Sequence, residues 1–185
     1  MGFAIAEVCA DAGAEVILVS GPVSLETKNK SIRLIRVETA AQMHSECLNY
    51  FSSCHAAILS AAVADFSPAE TLKVKVKREK TDWNILFKPT KDIAAELGAL
   101  KNENQILVGF ALETNNETEN ARIKLKKKNF DFIVLNSLND AGAGFGTDTN
   151  KICIIDKNNN IDTFELKSKQ EVAKDIVNKL TALMR

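Results

Sequence analysis

No run of apolar residues in this chain approaches the length needed to cross a bilayer, and its start lacks the charged, apolar and small-residue order of a signal peptide. A membrane is therefore not an expected partner, and the expected location is cytoplasmic. Net charge is also lacking. The 24 basic and 24 acidic residues cancel, so no global field draws nucleic acid, and any anion must be held by a local cluster. The four cysteines, Cys9, Cys47, Cys54 and Cys153, show no CxxC spacing and read as reduced packing thiols rather than disulfides or zinc ligands. G-x-G-x-x-G, G-x-S-x-G and a glycosidase-like acid pair are missing, as are internal repeats and low-complexity segments.

What is there is enough chain, 185 residues, for one domain (1–185) with a sizeable core. Residues 3–11 are apolar on nearly every side, as in a helix packed between a sheet and a neighbour, and Gly13 ends that helix. Residues 15–22 and 32–37 read as strands. Thr39 can cap a helix over 40–51, and 56–62 is the next strand. Strand, helix and strand at this spacing predict a Rossmann-like α/β fold, a mostly parallel sheet with helices on both faces. The period then changes. Leu72, Val74 and Val76 alternate with Lys73, Lys75 and Lys77, and a second strand is expected over 83–87, so that residues 71–88 form a protruding β-hairpin flap. Thr90 is the expected cap of a helix over 91–100. A strand at 105–110, a helix at 116–128, a strand at 131–136, a Gly-rich loop at 141–147, strands at 152–155 and 161–166 and a helix at 169–183 complete the chain.

The densest chemistry lies in 56–77, AAILSAAVADFSPAETLKVKVK. Ser60, Ala61 and Ala62 strip the bulk from a strand's carboxyl end, where open parallel sheets place their ligands, and Asp65 follows. An isolated turn aspartate would have a purely structural role, and on spacing alone the lysines read as a solvated edge that deters edge-to-edge pairing. Lys124 and Lys128, four apart on one helix face, could hold an anion between them or belong to a solvated run with Lys126 and Lys127. Phe110 closes a buried strand and could meet a base or fill the core. Gly142, Gly144 and Gly146 precede a strand rather than a helix, which argues against a nucleotide fingerprint. The pairs His44 with Cys47 and Cys54 with His55 are too few for a metal site. The residues alone leave three classes open: a nucleotide-using enzyme, a Rossmann-type NAD(P) oxidoreductase and a non-catalytic nucleotide-binding or dimerisation module. The oxidoreductase lacks both its glycine fingerprint and an acidic residue after the strand ending at Ser20-Gly21.

Six stretches in order, MGFAIAEVCADAGAEVILVSGPVSL, SAAVADFSPAE, KVKR, KPTKDIAAEL, VGFALETNN and KLKKKNFDFIVLN, resemble the phosphopantothenate-cysteine ligase domain. In most bacteria this domain is the second half of a bifunctional coenzyme A biosynthesis protein. The resemblance implies a ligase in which the carboxylate of 4′-phosphopantothenate attacks the α-phosphate of CTP. The amine of L-cysteine then displaces CMP. It implies Mg2+ with the CTP, a homodimer and a fused or separate flavin-dependent decarboxylase partner; it names no metal ligands. By position it implies nucleotide-binding roles for Ser60, Ala61, Ala62, Asp65, Pro89, Thr90, Asp92, Ile93, Phe110, Lys124 and Lys128. Lys75 would serve in converting the acyl-cytidylate to product.

The sequence departs from the family pattern at Ser67, where Arg is frequent, at KVKR for KIKK, at the extra residue of KPTKDI and at Ser137 after Asn136. In the family a strand and a loop reading roughly N-x-S-S-G-K precede MGFA. Neither is in this sequence, and with that phosphate loop missing the expectation is a site that binds its nucleotide without activating it.

Overall fold

The computed structural model describes residues 1–70, 74, 75, 77, 83–113, 115–137 and 148–184. Helix α1 (Gly2–Asp11) leads through Gly13, at φ 92, to β1 (Val16–Ser20), which pairs in parallel with β2 (Ile32–Arg36). Helix α2 (Ala40–Phe51) starts where the sequence says it should. The Thr39 side chain accepts from Gln42 N and the Gln42 side chain accepts from Thr39 N, a reciprocal cap. Then come β3 (Ala56–Leu59), the short pair β4 (Phe66–Pro68) and β5 (Phe87–Pro89), and α3 (Ile93–Leu100). The second half holds β6 (Ile106–Glu113), α4 (Glu117–Lys127), β7 (Phe132–Ser137), β8 (Thr149–Asn150), β9 (Ile152–Asp156), β10 (Ile161–Thr163), β11 (Lys167–Ser168) and α5 (Lys169–Leu183).

The central sheet has the order β10-β9-β7-β6-β3. Its β3, β6 and β7 run parallel, and β9 and β10 add an antiparallel edge. Alternation along β7 sorts the two faces. Phe132 and Val134 join Ile5 and Val8 of α1 and Val172 and Ile176 of α5 on one side. On the other, Ile133 and Leu135 join Phe51 of α2, Ile93 and Leu97 of α3 and Leu125 of α4. Each such fully buried aliphatic or aromatic side chain contributes about 1.5–3 kcal/mol, so this two-sided layering is what fixes the strand order. The expected mostly parallel sheet with helices on both faces is therefore the observed one. Among the described residues β1 pairs only with β2 and β3 only with β6. Helices α1 and α2 bridge the two sheets, α1 packing on Ile32, Val16 and Leu18 at one end and on Ala56 and Ile58 at the other.

Several local expectations are corrected. The second flap strand is not 83–87: residues 83–86 carry no strand and are exposed, and the strand is Phe87–Pro89. Its antiparallel partner is Phe66–Pro68, in the register Phe66 to Pro89. Of the lysine strand, Val74, Lys75 and Lys77 are exposed and outside any strand, while Leu72, Lys73 and Val76 lie outside the described residues. So does the Gly-rich loop 141–147. Thr90 is not a helix cap; Asp92 is, its side chain accepting from Ala95 N at 3.1 Å, because the Thr90 hydroxyl and N–H are engaged with the carbonyls of Ala64 and Asp65. Strand β6 runs three residues past Phe110, held by β7 up to the pair Glu113 to Ser137. The four cysteines are free and half-buried, and burial pushes the thiols of Cys9, Cys47 and Cys153 up.

Candidate functional site

At the carboxyl end of β3 the bulk of Ile58 and Leu59 gives way to Ser60, half-buried, and to Ala61 and Ala62, both exposed. Helix α1 begins beside them. A Cβ added to Gly2 would lie 3.0 Å from Ser60 Oγ, so the first turn of α1 stands over the strand end. That turn has no side-chain cap, and its free N–H groups give it the partial positive charge that favours phosphate or carboxylate.

Two of the sequence stretches singled out above meet here. Thr90 N donates to Asp65 O at 2.9 Å, and Thr90 Oγ1 donates to Ala64 O at 2.6 Å. These bonds, with the β4–β5 ladder between them and Ala69 N donating to Leu86 O at 2.8 Å, hold the segment of Pro89, Thr90, Asp92 and Ile93 against the segment of Ala61, Ala62 and Asp65. Asp65 is exposed. Ile93 is buried and anchors the start of α3 in the core. Lys75 is exposed.

The two helix lysines are not a free clamp. Lys124 Nζ lies 2.6 Å from Glu113 Oε1, at the carboxyl end of β6, and Asn120 Nδ2 donates to the other oxygen of Glu113 at 3.2 Å. Lys128 Nζ lies 3.1 Å from Asp92 Oδ1. Each lysine faces its own carboxylate. Burial pulls the Asp92 carboxyl up, but the Ala95 N–H and the Lys128 ammonium outweigh it and hold the group below its ordinary value. Phe110 is half-buried and packs on the α1/α5 side of the core, three residues short of the strand end.

Glu113 is the residue the sequence reading missed, although an acid closing a buried apolar strand eleven residues before a lysine was the available signal. A second is Asn136, at the carboxyl end of β7, whose Oδ1 accepts from Asn150 Nδ2 at 3.3 Å; Asn150 is 1% exposed. Among the described residues no three His, Cys, Asp or Glu side chains gather as a metal site. A divalent ion entering with a triphosphate would take most of its ligands from phosphate and water and one or two from carboxylates such as Asp65 or Glu113, which is how Mg2+ is commonly held. No helix among the described residues is long and apolar enough to cross a membrane.

The sequence matches the family described as DNA/pantothenate metabolism flavoprotein C-terminal domain over residues 1–184. It is 55% identical over 184 residues to a cysteine/cysteine sulfinic acid decarboxylase from an unknown prokaryotic organism, covering 100% of this chain and 51% of that protein. It is 41% identical over 185 residues to the coenzyme A biosynthesis bifunctional protein CoaBC of Bacillus subtilis (strain 168), covering 100% of this chain and 45% of that one. The chain thus spans about half the length of these curated relatives. Among solved structures, the C-terminal domain of a coenzyme A biosynthesis bifunctional protein CoaBC superposes with a TM-score of 0.82 at 32% identity, covering 99% of this chain and 81% of that one.

Proposed function

Because the chain belongs to the DNA/pantothenate metabolism flavoprotein C-terminal domain family, we propose that it carries the ligase step of coenzyme A biosynthesis, joining 4′-phosphopantothenate to L-cysteine with CTP. The carboxylate oxygen of phosphopantothenate attacks the α-phosphorus and pyrophosphate leaves. The cysteine nitrogen then attacks the acyl carbon, CMP leaves, and the amine gives up a proton. Little covalent help is needed from the protein; positioning and offsetting of phosphate charge account for the catalysis.

The observation that carries this reading is the Thr90 bridge to Ala64 and Asp65, which joins two stretches to which the resemblance assigns nucleotide contact, the first of them starting at Ser60 beside the first turn of α1. In this reading Ser60, Ala61 and Ala62 let the triphosphate approach the backbone under α1. Asp65 and the segment of Pro89, Thr90, Asp92 and Ile93 hold the nucleoside, with Phe110 behind them. Lys124 and Lys128 exchange Glu113 and Asp92 for phosphate oxygens, and the released carboxylates are then available to the Mg2+ that accompanies CTP. Lys75, exposed and close in sequence to the flap base, stabilises the charge that develops as cysteine attacks. The exposed apolar side chains of Phe66, Trp83, Leu86 and Phe87 on and beside β4–β5 favour a second copy of the chain at this edge, hence a homodimer.

The test is an assay of the purified full-length protein with CTP, Mg2+ and phosphopantothenate, in which CMP should appear only when cysteine is added. CTP consumption that ignores phosphopantothenate would sink the proposal. Lys75→Gln should let acyl-cytidylate accumulate, and unchanged turnover would return Lys75 to a solvated edge. Titration of Trp83 fluorescence with NADPH separates the oxidoreductase. Tight CTP binding with no turnover would favour a non-catalytic module.

A second reading rests on the 55% relative named as a cysteine/cysteine sulfinic acid decarboxylase. The match spans 51% of that protein, so the activity in its name need not lie in this half. Release of CO2 from either amino acid without CTP would support it.

A further inference from the structure

The opposite end of the central sheet holds a second cluster of cations around a cleft of about 490 Å³, lined by α4, by the end of α3, by the start of β7 and by the β9–β10 turn. Lys101, Arg122, Lys126 and Lys157 line it against the carboxylates of Asp131 and Glu119, so two positive charges are left over. The pairing is uneven as well. Lys101 Nζ at 2.9 Å and Lys157 Nζ at 3.3 Å share the single Asp131 carboxylate. That carboxylate also accepts from Leu107 N at 2.8 Å, so one acid serves three donors, while Lys101 Nζ has a further acceptor in Asn129 O at 2.9 Å. Arg122 has Nη1 3.9 Å from Glu119 Oε2, beyond hydrogen-bond range, and among the described residues its Nε is buried with no partner.

A guanidinium whose Nε has no acceptor, flanked by an exposed lysine on the facing turn, is a donor set suited to a tetrahedral oxyanion. We propose that this cleft binds a small phosphate-bearing dianion. Arg122 turns its Nε edge to the phosphate and gives up only the long Glu119 contact in doing so. Lys157 closes from the β9–β10 turn while Lys101 stays on Asp131. Lys126 adds charge from the next turn of α4, and the exposed Ile123 leaves an apolar wall for whatever bears the phosphate. The site is independent of the ligase reading, which concerns the carboxyl ends of the strands; this one sits at their amino ends, where a ligand would regulate rather than react.

The experiment is amide NMR on the full chain, titrated separately with inorganic phosphate, pyrophosphate and succinate. Saturable shifts at Arg122, Lys157 and Asn159 are expected with the two phosphate probes. Arg122→Gln and Lys157→Gln should each weaken them by about tenfold. Lys157 is 62% exposed along its side chain, so its variant keeps the fold and the test stands if Arg122→Gln does not. Shifts confined to residues 60–65, or affinities that neither variant changes, would overturn the site. Equal affinity for succinate would overturn its assignment to phosphate.

Discussion

The two ends of the central sheet both present lysines, and they differ in how those lysines are matched. At the carboxyl end the pairing is one to one and half open to solvent, one partner of each pair being about half exposed: Lys124 with Glu113, Lys128 with Asp92. At the amino end Lys101 and Asp131 are 10% and 9% exposed along their side chains, and a second lysine leans on the same acid. Exposed pairs dissolve and re-form at small cost, which suits a place where substrate phosphates come and go. A buried pair is held by the desolvation that breaking it would impose, which suits a fixed floor. Under the proposed function the same residue types would serve exchange at one end and rigidity at the other.

The sharpest way to break this contrast is Asp131→Ala. It removes the ion-pair partner of Lys101, which keeps only Asn129 O as acceptor, and the acceptor of Lys157 and of the buried Leu107 N–H, and unfolding in urea should show a loss of about 3–5 kcal/mol. A loss below about 1 kcal/mol would mean that water reaches Lys101 and that the amino end is no more rigid than the other.

Gly109→Ala comes next. Its added Cβ would lie 2.2 Å from the Phe130 ring, and Phe130, 5% exposed, is both core and cleft wall. Overpacking of this kind costs about 1–3 kcal/mol, read as a lower urea midpoint with unchanged slope. If the ring moves aside freely the midpoint will hold, and the cleft beside it will change shape instead.

Lys124→Gln should change stability by no more than about 1 kcal/mol, since its side chain is 45% exposed, while weakening CTP binding under the proposed reading. An equal effect on stability and on nucleotide affinity would erase the distinction between the two ends.

Which parts of this were legible in the sequence follows from what decides each element. Buried apolar strands such as 132–135 and the cap at Thr39 are local facts with a local signature, and both are found where expected. The strand expected over 83–87 is found at Phe87–Pro89 because β4 and β5 are three residues each and joined by pairing across the chain from Phe66 to Pro89, a non-local contact that alternation in residues 72–77 cannot report. The same holds for Asp92. Its cap is visible only once Thr90 is seen bonded to Ala64. At the candidate site the resemblance supplied positions, but the partners of Lys124 and Lys128 lie 11 and 36 residues away, and only the fold shows that these lysines are already paired.

The smallest effect tests whether the carboxyl-end pairs are electrostatic at all. The Asp92 carboxyl titrates below its ordinary value of 3.8 in the folded chain, because the Ala95 N–H and the Lys128 ammonium outweigh the burial that opposes them. A depressed folded value means that the unfolded chain takes up its proton first as pH falls. The stabilisation from Asp92 is therefore complete above 3.8 and is lost as pH drops through the folded value. Asp92→Asn keeps an oxygen for the Ala95 N–H but removes the charge facing Lys128. Its urea midpoint should lie slightly below that of the parent at neutral pH, and the two should converge once the pH has fallen below the depressed folded value. A difference that persists in acid would show that geometry at the cap, not charge, holds Lys128 in place, and the lysine would then be a poor candidate for handing itself over to a phosphate.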